Sequence, residues 1–245
     1  MEIAAFLQEQ FIERYRISSL ILEGYIMKAP ARFLHFVVVI ALLVPMMLWF
    51  SSCQKKEEAK QPGTSATGQK LVTIDNLQRA YGAESKRALW YDRFSRQAMK
   101  ENLGDIAVLF RALSRSEKVH AEAVAKLLKS KGVEPIAPTI DSIPPGKAKQ
   151  YLKLSLSNEN LEQNMYLADT AKAREENFTE AAEWFRRALE ADARHGRLLK
   201  KAIELETNFA RLPYEMCPEC GYIVGSDKLE ECPVCKTKKD KFQKI

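Results

Sequence analysis

The sequence predicts a mainly α protein: a four-helix bundle with one crossover connection, followed by a small domain that cysteines hold around a metal ion. Three observations support this fold. Residues 71–211 have apolar residues at helical spacing, interrupted by a short, a long and a short link. Acidic residues and histidines recur inside these apolar stripes. Two Cys-x-x-Cys pairs then stand near the C-terminus of the 245-residue chain.

Residues 1–52 are predicted to be an N-terminal extension with a signal peptide or membrane anchor. Segment 33–53 is apolar, carries no formal charge and follows basic residues, as secretory signals do. It is nearly long enough to span a bilayer, so an uncleaved anchor is the alternative. It ends in two serines and Cys53, which resembles the lipobox of bacterial lipoproteins and predicts lipidation of Cys53. Met27 opens a conventional signal peptide, so translation starts at either Met1 or Met27.

Residues 53–70 are predicted to be a flexible linker, because they are charged, then rich in Gly, Ser and Thr, without apolar periodicity. We therefore expect an extracytoplasmic protein, periplasmic or on the cell surface, attached to the membrane by a lipid anchor or an N-terminal helix. The formal net charge of +6 is spread along the chain without an aromatic-interleaved basic stripe. Nucleic acid is therefore not an expected partner.

Residues 71–211 are predicted to form the bundle. Breaks at 101–105, 132–146 and 175–180 separate four helices by a short, a long and a short connection, which is the ferritin-like topology. Each apolar stripe contains polar residues, which are Glu84, Glu117, His120, Glu159, Glu162, Asp192 and His195. A carboxylate in a bundle core costs several kcal/mol unless it is paired or bound to metal.

The spacing of these residues favours metal. In each half of the bundle, the first and second acids are 33 residues apart, and the first acid and the histidine are 36 apart. The halves are therefore offset by 75 residues, with Glu159 matching Glu84. Glu162 has no acidic twin, since Arg87 stands at the matching position. Carboxylates with two imidazoles suit iron or manganese, and this pattern is the di-iron carboxylate arrangement of helical bundles.

Residues 212–245 are predicted to form the second domain. "CPECGY" at 217–222 and "CPVC" at 232–235 contain four cysteines with the spacing of a tetrahedral zinc or iron site. A region this short cannot build a sufficient apolar core, so it needs a bound metal ion or other cross-links for stability. Two disulfides are the alternative in an extracytoplasmic protein.

The motifs "AYGAES", "SEKVH" and "NENLE", followed by "CPECGY" and "CPVC", resemble the rubrerythrin family over about residues 71–245. The resemblance implies a ferritin-like domain followed by a rubredoxin-like domain. It implies a di-iron peroxidase that reduces hydrogen peroxide to water in oxidative stress defence, with electrons from an external donor passing through a rubredoxin-type iron. It also implies a homodimer in which the rubredoxin-type iron of one subunit lies near the di-iron site of the other.

The resemblance also implies roles for particular residues. The di-iron ligands would be Glu84, Glu117, His120, Glu159, Glu162, Asp192 and His195, and the rubredoxin-type iron would be held by Cys217, Cys220, Cys232 and Cys235. Tyr91 matches a tyrosine near the family's di-iron site. Two departures stand out: Asp192 replaces a glutamate, and a second family tyrosine falls at Leu167, next to Tyr166.

Two other functions remain open from the residues alone. The bundle could be a ferroxidase or an iron-sequestering protein, which needs no cysteine site. Alternatively, the four cysteines could hold zinc in a structural ribbon of a non-enzymatic protein, because sequence does not separate iron from zinc at four cysteines.

Overall fold

The computed structural model describes the parts of the chain that contain both predicted domains, namely Gly63 and residues 71–139, 142–143, 145–205, 209, 212–225 and 228–245. The predicted signal segment 1–52 and Cys53 lie outside the described residues. Of the predicted linker, only Gly63 is described, and its N–H donates to the carbonyl of Lys131 at 3.1 Å. No helix within the described ranges is long and apolar enough to cross a membrane.

Four long helices form the bundle: α1 (Val72–Lys100), α2 (Gly104–Ser130), α3 (Ala148–Glu175) and α4 (Thr179–Leu205). Short turns join α1 to α2 and α3 to α4, and each such pair packs as a helical hairpin. The long connection between α2 and α3 is the crossover. The predicted four-helix bundle is therefore confirmed, and the ends of its three breaks lie within about two residues of the predicted positions.

The two hairpins turn at equivalent positions. α1 ends at Lys100 and α3 at Glu175, which is 75 residues later. Two residues beyond each end, Asn102 and Asn177 adopt left-handed backbone angles, with φ of 58° and 57°. Asparagine tolerates this conformation better than most residues do, because its side chain bonds locally. The offset found among the acidic residues thus extends to the backbone.

Each turn also caps the first helix of the other hairpin. The carboxylate of Glu176 accepts hydrogen bonds from the N–H groups of Val72, at 3.0 Å, and Thr73, at 2.9 Å. Glu101, the equivalent residue 75 positions earlier, accepts from the N–H of Ala148 at 3.1 and 3.2 Å. A carboxylate at a helix N-terminus accepts hydrogen bonds from N–H groups that have no partner within the helix. Its negative charge also interacts favourably with the positive end of the helix dipole. These caps tie the hairpins together.

Two buried apolar clusters lie on either side of a central polar layer. One is centred on Phe94 and Phe110, and the other on Leu77 and Phe185; all four side chains are fully buried or nearly so. Along every helix, the polar residues predicted as ligands stand between these clusters. Burial of the clusters supplies the driving force that encloses the polar layer.

The cysteine-rich domain is a small antiparallel sheet with strand order β2–β1–β3, made of β1 (Glu215–Met216), β2 (Ile223–Val224) and β3 (Gln243–Lys244). A short 3-10 helix, Lys239–Lys241, precedes β3. Met216 and Ile223 join the apolar cluster of the bundle, and, among the described residues, the domain's own buried cluster consists only of Cys217, Cys220, Cys232 and Val234. The domain therefore depends on the bundle and on its cysteine site for stability.

We predict that Glu176→Ala lowers the free energy of unfolding by about 1–2 kcal/mol, because α1 loses its cap. Burial opposes ionisation of Glu176, but hydrogen bonds from Thr73 and Val72 lower its pKa below 4.5. A depressed pKa stabilises the fold above the unfolded value, so the loss should shrink as the pH falls below about 4.5. Urea unfolding at several pH values, with metal content measured at each, tests this.

The matched control is Glu175→Ala, which removes an adjacent, exposed carboxylate that contacts only Lys172 among the ion pairs of the described residues. Equal unfolding midpoints for the two variants at pH 7 would contradict the capping role of Glu176.

Candidate metal centre

The polar layer brings six of the seven predicted ligands together. Two groups of donor atoms each lie within 4.8 Å of one another. The larger group consists of Glu117, Glu159, Asp192 and His195, and the smaller one of Glu84, Glu117 and His120. Glu162 is buried as well but belongs to neither group. Because Glu117 belongs to both groups, the two form one continuous cluster.

Glu117 bridges the two groups with its two oxygens. Its Oε1 lies 3.3 Å from Nδ1 of His195, and its Oε2 lies 3.4 Å from Nδ1 of His120. Glu159 Oε2 is 3.3 Å from the His195 nitrogen, and Glu84 Oε2 is 3.4 Å from the His120 nitrogen. Two donors bound to one ion at about 2.1 Å are themselves about 3–3.5 Å apart. The spacing thus suits two neighbouring ions that share Glu117.

Asp192 reaches the cluster despite its shorter side chain. Its Oδ1 lies 3.8 Å from Nδ1 of His120 and 3.7 Å from Nδ1 of His195. The side chain is fully buried. An aspartate at this position therefore places an oxygen between the two histidines, at slightly longer distances than the glutamates do.

The unsatisfied atoms of this layer test whether metal fits. Within the part of the chain that the structure describes, these buried polar atoms of the layer lack hydrogen-bond partners: Arg87 Nε, Glu117 Oε1, His120 Nδ1, Glu159 Oε2, Glu162 Oε2, both oxygens of Asp192 and both ring nitrogens of His195. Leaving a buried polar atom unpaired costs about 1–3 kcal/mol. Metal cations would satisfy the inward-facing atoms, and oxygen with imidazole nitrogen suits iron or manganese. The residues therefore fit two metal ions.

Two tyrosines hold carboxylates of the cluster. The hydroxyl of Tyr91 donates to Glu159 Oε1 at 2.6 Å, and that of Tyr166 donates to Glu84 Oε1. Burial and the neighbouring carboxylates raise the pKa of both phenols well above 10, so both stay protonated donors. Leu167, where the family resemblance placed the second tyrosine, is 65% exposed.

Tyr166 was not predicted as a site residue, although the sequence contains a signal for it. Tyr166 follows Tyr91 by 75 residues, the same offset that relates Glu159 to Glu84. Each tyrosine therefore bonds to the first acid of the other hairpin.

Arg87 is a second residue of the site that the sequence analysis did not assign. Its side chain is buried, and it forms ion pairs with Glu84 at 2.6 Å, with Glu117 at 3.4 Å and with Glu162. Burial opposes its charge, but Glu84 and Glu117 raise the pKa of the guanidinium well above its ordinary value. The layer thus contains a permanent cation at the position that matches Glu162.

The four predicted cysteines converge as a second cluster, and none is disulfide-bonded. The sulfur atoms of Cys217 and Cys235 are 3.4 Å apart, and those of Cys220 and Cys232 are 3.5 Å apart. Such separations are far longer than a disulfide bond of about 2.05 Å and approach those of a tetrahedral metal site. Hydrogen bonds from Cys220 and Cys232 lower the pKa of Cys217 strongly, which favours a thiolate there.

The cysteine cluster lies directly against the bundle cluster of the same chain. Nε2 of His120 is 3.0 Å from the carbonyl oxygen of Cys220, and Ser116 Oγ donates to the carbonyl of Gly221 at 2.6 Å. A carbonyl only accepts hydrogen bonds, so Nε2 of His120 carries a proton and donates it to Cys220, which leaves Nδ1 as the ring atom that faces the carboxylates. This hydrogen bond thus orients His120 as a metal ligand.

Gly221 permits this approach. Its φ is +72°, and a Cβ atom there would stand 2.5 Å from Ser116 Oγ and 2.7 Å from His120 Nε2. Any side chain at this position would push the cysteine knuckle away from the bundle.

Comparisons with known proteins agree with both parts of the chain. The family model described as Rubrerythrin matches residues 75–203, and the model described as Rubrerythrin, rubredoxin-like domain, matches residues 216–243. The first match covers nearly all of the four helices and every candidate ligand in the bundle. The second covers the four cysteines.

Two curated relatives are similar over most of their length. Rubrerythrin-2 of Clostridium acetobutylicum is 30% identical over 178 residues, which cover 70% of this chain and 96% of the relative. Rubrerythrin of Porphyromonas gingivalis is 30% identical over 191 residues, covering 75% and 92%. Among solved structures, nigerythrin in its fully reduced, all-ferrous state superimposes with a TM-score of 0.66 at 28% identity, covering 74% of this chain and 90% of that chain.

We predict that metal binding in the bundle releases protons. Burial opposes protonation, but Glu159 and Glu117 raise the pKa of His195 to about 9, and Glu84 and Glu117 raise that of His120. Both imidazoles are therefore protonated in metal-free protein at pH 7, and they must lose a proton to bind metal through Nδ1.

Titration calorimetry with Mn²⁺, in buffers of different ionisation heat, measures this release. We expect roughly two protons or more at pH 7 and fewer at pH 9.5, so the apparent affinity rises with pH. Binding at pH 7 without proton release would contradict the protonation of both histidines.

Proposed function

Because the chain belongs to the rubrerythrin family, and is therefore a di-iron protein of the oxidoreductase class, we propose that it is a peroxidase that reduces hydrogen peroxide to water. The observation that carries this proposal is the contact between the Cys220 carbonyl and the His120 ring, which joins the four-cysteine cluster to the candidate two-metal cluster. We further propose a role in oxidative stress defence.

The bundle cluster would hold the two irons through Glu84, Glu117, His120, Glu159, Asp192 and His195. Two ferrous ions bound there would supply two electrons at one place and polarise a peroxide oxygen. Reduction of one hydrogen peroxide by two electrons and two protons gives two water molecules. The similarity to nigerythrin, which has been solved in an all-ferrous state, supports iron as the metal in this chain.

Protein groups around the cluster would keep it in place during turnover. Tyr91 and Tyr166 hold the two first acids by hydrogen bonds, and the apolar clusters on both sides exclude bulk water. A surface cavity of about 680 Å³, lined in part by His120, Trp184 and Cys220, lies beside the contact between the two sites. We propose that a small oxidant approaches the cluster from this side.

The cysteine site would pass electrons to the bundle one at a time. We propose iron at Cys217, Cys220, Cys232 and Cys235, since zinc has no redox chemistry. The hydrogen bond from His120 to Cys220 lies within one chain, whereas the family resemblance implied proximity between subunits. The homodimer and the external electron donor, a rubredoxin-like or other redox protein, stay proposals.

The location of the protein is a separate proposal that rests on sequence alone. The signal-like segment and Cys53 support an extracytoplasmic protein with a lipid anchor or an N-terminal membrane helix. The electron donor would then have to act outside the cytoplasm.

We predict that the iron-loaded, reduced chain is rapidly reoxidised at both sites by peroxide under anaerobic conditions. If the bundle irons were oxidised first and the cysteine-bound iron then reduced them again, the visible absorbance of the cysteine site would return at the rate of turnover. Stopped-flow absorbance after stoichiometric reduction measures this.

The control is the same chain with zinc at the cysteines, in which the bundle should react once without further turnover. Repeated oxidation of added ferrous ions by oxygen, at equal rates with iron or zinc at the cysteines, would instead favour a ferroxidase. Zinc in the cysteine site of protein isolated from iron-rich cells, with no reaction toward peroxide, would favour a structural ribbon.

We predict that Gly221→Ala separates the two sites without removing a ligand. The added Cβ collides with Ser116 and His120, so reoxidation of the cysteine-bound iron should slow by about tenfold to hundredfold. The bundle reaction with peroxide should stay within about twofold of wild type, because its ligands are intact.

The matched control is Gly225→Ala in the same domain, where the nearest atom to the added Cβ is the end of the Leu212 side chain at 3.1 Å. The visible spectrum of the cysteine site must be unchanged in both variants. If the cysteine-bound iron of Gly221→Ala were reoxidised at the wild-type rate, electrons would not pass through this contact.

A further inference from the structure

Arg87 is the one permanent cation that the described structure places inside the carboxylate layer. Its guanidinium contacts Glu84, Glu117 and Glu162 from α1, α2 and α3. No aspect of peroxide reduction requires a buried arginine at this place. Its function therefore needs a separate explanation.

Glu162 differs from the other acids of the carboxylate layer in what it contacts. The other four carboxylates contribute atoms to the two metal-ligand groups, whereas Glu162 contributes to neither and pairs with Nη1 of Arg87. The 75-residue offset places Arg87 and Glu162 at equivalent positions of the two hairpins. Where a symmetric bundle would have two like residues, this chain has an acid and a base that pair with each other.

We propose that Arg87 is a positioning residue that holds Glu162 away from the metals, so that the metal position built by Glu84, Glu117 and His120 keeps a coordination place open. Glu162 is then a partner of Arg87 rather than the seventh ligand that the family resemblance implies. The inference rests on the two-metal part of the proposed function and does not depend on peroxide as the substrate.

The charges of the layer agree with this assignment. Five buried carboxylates and one guanidinium carry four net negative charges when all are ionised, which two divalent cations neutralise. Without Arg87, the same layer would keep one uncompensated negative charge, which is costly in a buried site. Arg87 therefore allows Glu162 to stay ionised and buried while it is not bound to metal.

Cobalt provides a test that does not use activity. Co²⁺ bound with few ligands absorbs visible light much more strongly than octahedral Co²⁺, so its spectrum reports whether Glu162 joins the site. We use protein loaded with Co²⁺ in the bundle, with zinc at the cysteines to remove their contribution. Two bound cobalt ions in wild type are the precondition, and their absence would refute the two-metal function itself rather than the role of Arg87.

The cobalt spectrum of Glu162→Gln should match that of wild type, because Glu162 is not a ligand under this proposal. Arg87 still has Glu84 and Glu117 as ion-pair partners in this variant. In Arg87→Met the freed Glu162 should bind, with a roughly twofold or greater loss of visible absorbance. The double variant Arg87→Met/Glu162→Gln should regain the wild-type spectrum. That recovery distinguishes positioning of Glu162 from a general structural effect of Arg87.

The matched control is Arg79→Met, which removes another arginine–carboxylate pair between α1 and α3, with Asp169 at 2.5 Å, outside the ligand groups. Its spectrum should equal that of wild type. A changed spectrum in Glu162→Gln would show that Glu162 is a ligand and would overturn the proposal, even if Arg87→Met failed to fold. An identical spectral change from Arg87→Met with and without Glu162 would overturn it as well.

Discussion

The concentration of negative charge at the centre of the bundle is the constraint on which the rest of the structure depends. Five carboxylates are buried between two apolar clusters, where an unpaired charge costs several kcal/mol. Their neighbours compensate this cost by different means: phenols donate to Glu84 and Glu159, and a guanidinium pairs with Glu162. The remaining lone pairs face one another, an arrangement that divalent cations stabilise. Metal binding is therefore part of the stability of the bundle as well as of its chemistry.

An internal two-fold repeat arranges most of these groups. The offset of 75 residues relates helix ends, the left-handed Asn102 and Asn177, the capping Glu101 and Glu176, and the tyrosines. Such a repeat places the ligands of both hairpins in one layer of the bundle. In each hairpin the ligands are the same number of residues from the turn, and the rise per residue of an α-helix is constant. The caps cross between the hairpins, so the same residues that end one helix fix the position of another.

The sequence was sufficient for features that depend on local pattern. Helix breaks, the register of acids and histidines, and the cysteine knuckles all follow from spacing along one element, and the four-helix bundle with its cysteine-rich domain is confirmed. Contacts between residues of different helices or domains could not be predicted from spacing along the sequence. Which of Tyr166 and Leu167 points inward is decided by helix rotation, and the contact of His120 with Cys220 joins residues 100 positions apart. The sequence showed Arg87 at the position that matches Glu162, but only the structure identified the carboxylates with which it pairs.

Two departures from the two-fold repeat, Arg87 and the cysteine knuckle, fall on the same metal position. Arg87 contacts Glu84 and Glu117, and the cysteine knuckle contacts His120, so the smaller donor group carries both. The larger group, with His195, has one more protein donor, and no described residue hydrogen-bonds to Nε2 of that histidine. Under the proposed function, the two ions would therefore differ in their tasks. Glu117, Glu159, Asp192 and His195 would enclose one ion, whereas an ion held by Glu84, Glu117 and His120 would have fewer protein ligands and would lie beside the cysteine site that is proposed to supply electrons.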